Sequence, residues 1–170
     1  MNLLWDHYWP AIVAAVIIGV MTGRIAFRRF NGRRRILAFA AGALAAIALT
    51  ALWHGPLGAG DRLANSLQTS VRQLLVAFEV PQFRSEVERN PIRRTILLSG
   101  PADSFQRAET ARILTLSPGV AAARWTGSGG RSSLPVLAEV TLASLVAFGL
   151  GLLLSYLLEL RRRSRAEWRW

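Results

Sequence analysis

The run "ILAFAAGALAAIALTALW", from Ile36 to Trp53, contains no charged residue. One helix needs roughly 17 to 25 mostly apolar residues to cross a bilayer, so this run narrows the chain to a few architectures. Two further runs match it. "YWPAIVAAVIIGVMTGRIAF", residues 8–27, has an uninterrupted apolar core from Pro10 to Gly23, and Arg24 near its end reaches water by snorkelling. "PVLAEVTLASLVAFGLGLLLSYLLEL", residues 135–160, opens on Pro135, which suits a first helical position.

Arginine sets the expected orientation, because flanks dense in Arg or Lys stay on the cytoplasmic side. All 21 basic residues are Arg. Arg24 and the loop of residues 28–35 hold one cluster, with Arg28, Arg29, Arg33, Arg34 and Arg35; the tail of residues 161–170 holds Arg161, Arg162, Arg163, Arg165 and Arg169. Three spans put both clusters on one side, and residues 54–134 with the N-terminus on the other. The expected location is the bacterial inner membrane, N-terminus outside and C-terminus cytoplasmic. Trp5, Tyr8, Trp9 and Trp53 would then sit at the outer interface and Tyr156 near the inner one. Residues 21–53 also read as an export signal, a basic region before an apolar one. That apolar region exceeds the usual length of about 7–15 residues, and no clear small-x-small cleavage site precedes Asp61. The three-span reading is therefore preferred.

Residues 54–134 read as a water-soluble piece. "HGPLGAG" is a Gly- and Pro-rich linker that would free it from the membrane surface. Asp61 stands as N-cap to "RLANSLQTSVRQLLVAFEV", where Leu63, Leu67, Val71, Leu74 and Phe78 recur at helical spacing up to Pro81. "QFRSEVER" alternates, with Phe83, Ser85 and Val87 on one face; "NPI" turns the chain and "RTILLSG" returns, which predicts a hairpin. After Gly100 and Pro101, Asp103 or Ser104 caps a helix carrying Phe105, Ala108, Ala111 and Leu114. "VAAARWT" supplies a last strand, and "GSGGRSS" links back to the third span. The expected fold class is a membrane α-helical protein of three transmembrane helices with a small α+β extracytoplasmic domain, in the order α-β-β-α-β.

A strand ending in Gly, then a helix, then "PGV" before a final strand resembles the BON domain family. The matching residues are Leu98, Gly100, Arg107, Ala108, Pro118, Gly119 and Val120, and the resemblance covers about residues 61–126. Asn90 and Pro91 stand where that family usually has a simpler Gly turn. The resemblance implies an exported envelope module that contacts phospholipid or other envelope components, with no catalytic role. Both glycines also have a physical reason of their own: Gly119 supplies a left-handed helix terminus and Gly100 a turn with positive φ. A small α/β module of another family is the alternative.

Chemistry-bearing residues are sparse. The chain has no Cys, which excludes thiolate chemistry and disulfides. His7 and His54 lie at predicted membrane edges, near Asp6 and Asp61. They lack the spacings of metal sites, so an interfacial role is preferred and no metal or cofactor is expected. Glu139 falls in a first helical turn, facing the positive end of the helix dipole, which favours an interfacial role over a proton relay. Glu86, Glu88, Asp103 and Glu109 show no paired-carboxylate spacing, and Ser99 in "LSGP" is no nucleophile elbow; no enzyme is expected. Nor is nucleic acid a partner, because the membrane-flanking clusters account for much of the basic charge. Residues 54–134 carry 10 Arg against 6 acidic residues, enough to attract anionic headgroups at about 1 kcal/mol per Arg near the surface. Arg84, Arg89, Arg93 and Arg94 crowd around the hairpin and are the expected lipid or partner contacts.

Small residues repeat along the spans: Ala11, Ala15, Gly19 and Gly23 on the first, Ala38, Gly42, Ala46 and Thr50 on the second, Ala143, Ala147, Gly151 and Ser155 on the third. Such stripes let helix backbones approach closely, within one chain, in a homo-oligomer or against a partner. The expected function is a non-catalytic membrane protein displaying a binding or scaffolding module, with membrane lipid or an envelope protein as partner. The alternative is a small accessory subunit of a larger membrane complex.

Overall fold

The computed structural model describes residues 3–128 and 132–167. Eight elements follow one another: α1 (Leu3–Arg29), α2 (Arg33–His54), α3 (Ala59–Ala77), β1 (Arg84–Arg89), β2 (Ile92–Ser99), α4 (Ser104–Thr115), β3 (Ala122–Trp125) and α5 (Val136–Glu167). The chain is mostly helical and divides into two compact units. One contains Leu57–Glu139 with the start of α1 up to His7; the other contains Tyr8–Pro56 and the chain from Val140 onward.

Three helices are long and apolar enough to cross a membrane, over Leu4–Arg29, Arg33–His54 and Val136–Arg165. α1 begins at Leu3 and continues through Pro10 rather than starting at residue 8, with Pro10 only about two turns from the helix start. Ala11, Ala15, Gly19 and Gly23 all face the interior of the helical unit, as do Ala147, Gly151 and Ser155 of α5. Ala143 is only half-buried, and Ser144 takes the interior position instead. The inward face of α5 steps from Val140 to Ser144 to Ala147, since a strict four-residue step drifts by about 40° each time in a helix of 3.6 residues per turn. On α2, Gly42, Ala46 and Thr50 are buried and Ala38 is half-buried. Ala15, Ala46, Ala147 and Phe148 form the centre of the unit. Thr50 Oγ1 lies 2.9 Å from Ala46 O and 3.0 Å from Ser144 Oγ, so its polar atom is satisfied inside the bundle. Large apolar side chains such as Ile17, Leu44, Val146 and Leu153 point outward, as lipid-facing positions do.

Arg35 pins the turn between α1 and α2. It donates to Phe30 O at 3.2 Å and to Asn31 Oδ1 at 3.1 Å, and its guanidinium lies 5.7 Å from the centre of the Phe27 ring.

The second unit is a two-layer α/β domain. β1 and β2 form an antiparallel hairpin with Val87 opposite Ile96, and β3 lies parallel to β2 with Trp125 opposite Leu98, giving the sheet order β1-β2-β3. Parallel strands need a crossover, and α4 supplies it. Leu63, Leu67, Val71 and Leu75 of α3 are buried together with Val87, Ile96, Leu98 and Leu114. Trp125 completes this core, its ring edge-on to Phe83 at 5.2 Å and its indole N–H donating to Arg107 O at 2.9 Å.

Several local expectations are corrected. α3 starts at Ala59 behind a left-handed Gly58, so Asp61 sits in the first turn rather than at the N-cap. A carboxylate there still meets the positive helix end. The buried stripe continues to Leu75, leaving Leu74 half-buried and Phe78 exposed, because the helix closes at Ala77 in a Schellman motif. Val80 N–H donates to Leu75 O and Glu79 N–H to Val76 O, both at 3.0 Å. On α4, Asp103 and Gln106 form a reciprocal capping box. That helix buries Thr110 and Leu114 while Phe105 and Ala108 stay exposed. Pro135 precedes α5 and its carbonyl accepts from Glu139 N–H at 3.1 Å, making it the cap rather than the first helical residue. The "HGPLGAG" linker is short, since α3 begins at Ala59. On the other side, Ser133 is held by Thr95 Oγ1 at 3.0 Å and by Arg93 Nη1 at 2.9 Å. Gly129, Gly130 and Arg131 of the second linker lie outside the described residues, as do residues 168–170 of the basic tail.

Candidate functional site: a basic groove along the edge strand

β1 is an edge strand, and a free edge offers backbone groups for pairing with another chain. Here α3 closes it. Gln68 Nε2 donates to Ser85 O, and Gln68 Oε1 accepts from Val87 N–H at 2.9 Å. The side-chain amide thus occupies the place of a peptide group in a further strand. At that point of the edge a ligand meets side chains in place of the backbone.

Those side chains border a groove of about 910 Å³ between α3 and β1. Arg72 of α3, Arg84 and Arg89 of β1, and Glu86 and Glu88 supply its charges. Arg72 and Arg84 have no partner among the described residues, whereas Arg89 Nη2 donates to Asn65 Oδ1 at 2.8 Å. Glu88 lies 3.8 Å from Arg93 Nε and 3.6 Å from Arg124 Nη2, so neighbouring cations already balance its charge. The groove is left with a basic excess.

The structure therefore separates the four arginines that crowd together in the sequence. Arg84 and Arg89 are exposed along the groove, but Arg93 and Arg94 are half-buried in internal bonds. Arg94 grips Glu139 with two hydrogen bonds, Nε to Oε2 at 2.9 Å and Nη2 to Oε1 at 3.3 Å. Glu139 is thus the anchor of the first turn of α5. Gln68 and Arg72 join the groove beside the arginines expected from the sequence. Gln68 had a signal: it is the polar residue on the otherwise apolar face Ala64, Gln68, Val71, Leu75.

Of the residues that carry the family resemblance, Leu98 and Val120 are buried, Gly100 and Gly119 have φ of +138° and +93°, and the Arg107 guanidinium lies 5.6 Å from the centre of the Trp125 ring. Ala108 and Pro118 are exposed. A Cβ on Gly100 would come within 3.2 Å of the Phe83 ring, so that position is restricted by space as well as by φ.

Arg112 donates to Glu109 at 2.9 Å, and this hydrogen bond holds the Glu109 carboxyl below its ordinary pKa. General acids need the opposite shift. No group of three or more His, Cys, Asp or Glu side chains among the described residues could hold a metal ion. The arrangement suits binding of an acidic ligand. Comparison of the chain with protein-family models, curated proteins and solved structures finds no significant match in any of the three.

Proposed function

We propose that this chain is a non-catalytic protein of the bacterial inner membrane that displays a small BON-like domain on the outer face as a binding module. The three long apolar helices support the membrane setting, and the Arg clusters at one end of them support an inward C-terminus. The observation that carries the binding role is the groove along β1, with Arg72 and Arg84 unpaired among the described residues and part of its backbone edge occupied by Gln68. A concave basic groove fits an extended acidic segment of an envelope partner better than it fits a flat bilayer.

Cross-linking of the full chain in native membranes tests this. The expected result is a captured partner that is lost when Arg72 and Arg84 become Ser. A partner retained by that variant but lost when Gly19 is enlarged would instead make the chain an accessory subunit docked through its helices. A reporter active only outside the cytoplasm should work when inserted after Ser128 and fail at the C-terminus; the reverse pattern overturns the orientation.

A further inference from the structure

A second polar site lies at the basic end of the helical unit. A cavity of about 220 Å³ is lined by Arg24, Phe27, Arg28, Ser155, Leu158 and Glu159. Ser155 is only 2% exposed, yet its Oγ has no hydrogen-bond partner among the described residues. A helical hydroxyl normally bonds the carbonyl four residues back, as Thr50 does with Ala46. Leaving one buried and unbonded is costly. Gly23 faces it across the α1–α5 contact, where a Cβ would come within 2.8 Å of Ser155 Oγ.

The charges around the cavity are positive on balance. Arg24 has no partner among the described residues. Arg28 meets Glu159 only through Nε, at 3.4 Å, so its two terminal nitrogens keep their donors. Glu159 is also gripped by Arg162 at 2.8 Å and by Arg163 at 3.4 Å, so its carboxylate does not cancel the arginines that line the space. Leu158 of the lining is exposed, and so is Leu154 one turn away, which gives acyl chains an apolar surface to follow.

We infer that this cavity takes the phosphate of an anionic phospholipid, gripped between Arg24 and Arg28, with the Ser155 hydroxyl donating to a headgroup oxygen. Basic recesses between membrane helices bind such headgroups by the same chemistry. The lipid source is favoured over free phosphate because the site adjoins the apolar flank of α5. The inference rests on the membrane reading above and is separate from the groove along β1.

The test uses the full chain, extracted in mild detergent, stripped of lipid and titrated in native mass spectrometry. Phosphatidylglycerol and phosphatidylcholine of identical chains are compared, with inorganic phosphate as a third probe. Phosphatidylglycerol is expected to be retained, and Arg24→Gln to weaken it about tenfold, the scale of one charge-assisted contact. Ser155→Ala should weaken it in the same direction. Arg34→Gln, an equal change of charge in the α1–α2 turn, should alter it by less than about twofold, as an exposed charge does. Equal losses from Arg24→Gln and Arg34→Gln, equal retention of both lipids, or occupancy by inorganic phosphate at the same concentration would each overturn the inference. A carbonate wash of the source membranes keeps the two readings apart: release of the protein sinks the membrane reading, whereas retention with no lipid preference sinks the site alone.

Discussion

Gly19 of α1 and Gly151 of α5 bring two helix backbones into direct contact. A Cβ built on Gly19 would lie 3.0 Å from Gly151 Cα and collide with Phe148 O, and one built on Gly151 would lie 3.0 Å from Gly19 Cα and collide with Val16 O. Neither helix has a flexible side chain there to give way. Gly19→Leu is therefore expected to destabilise the helical unit by about 1–3 kcal/mol, the usual scale of overpacking. Gly149→Leu, where a Cβ meets nothing within 4 Å, should leave stability nearly unchanged. Thermal unfolding of both variants in detergent measures the difference, and similar melting temperatures would remove the contact.

Two turns of the α/β unit predict effects of opposite sign. Glu79 terminates α3 with φ of +58°, whereas Gly119 has φ of +93° after α4. Glu79→Gly should stabilise by roughly 0.5–1 kcal/mol, because glycine adopts the left-handed region without steric cost. Gly119→Val should destabilise by at least about 1 kcal/mol, since a β-branched residue is poorly tolerated there. Denaturant unfolding of the full chain, followed by Trp fluorescence, reads both. A pair of changes with the same sign would contradict the backbone assigned to these turns.

Glu79 also marks where sequence reading stops. In the sequence the helix terminus at Ala77 is obscured, because the left-handed position carries Glu79 instead of the Gly that usually announces it and the helical spacing of apolar residues continues to Phe78. The long runs around Val16, Ala46 and Ala147 were legible because length and apolarity alone specify such helices. The small-residue stripes of α1 and α5 were legible almost residue by residue, Ser144 for Ala143 being the exception. At the site, charge was visible but pairing was not. Arg93 and Arg94 look the same as Arg84 in a string of letters, and only the fold brings Ser133 and Glu139 alongside the first two.

The Arg94–Glu139 pair gives that distinction an energetic test. Both side chains are about one-fifth exposed, 21% and 17%, so water screens the pair less than a surface ion pair. A double-mutant cycle with Arg94→Gln and Glu139→Gln should give a coupling of about 1 kcal/mol or more, above the typical value for exposed pairs. It should also change little between low and moderate salt, since screening acts mainly on exposed charges. A coupling near zero would return Arg94 to the pool of contacts open to a ligand.

Gln68 predicts a change in both stability and association. Its amide bonds Ser85 O and Val87 N–H, the outward-facing groups of the edge strand. Gln68→Leu keeps the bulk and removes both bonds, which should cost about 1–3 kcal/mol if the freed groups stay shielded from water. Where water reaches them instead, the energetic loss shrinks but the edge becomes available for pairing with a second chain. Hydrogen exchange separates the two cases: the Val87 amide should exchange faster by more than Ile96, which lies within the sheet and reports the global loss of stability. Chain association, measured by sedimentation in detergent, should rise as the local protection of Val87 falls. Unchanged protection at Val87 would mean that its amide is shielded by something other than Gln68, which would remove Gln68 from the edge of the β1 groove.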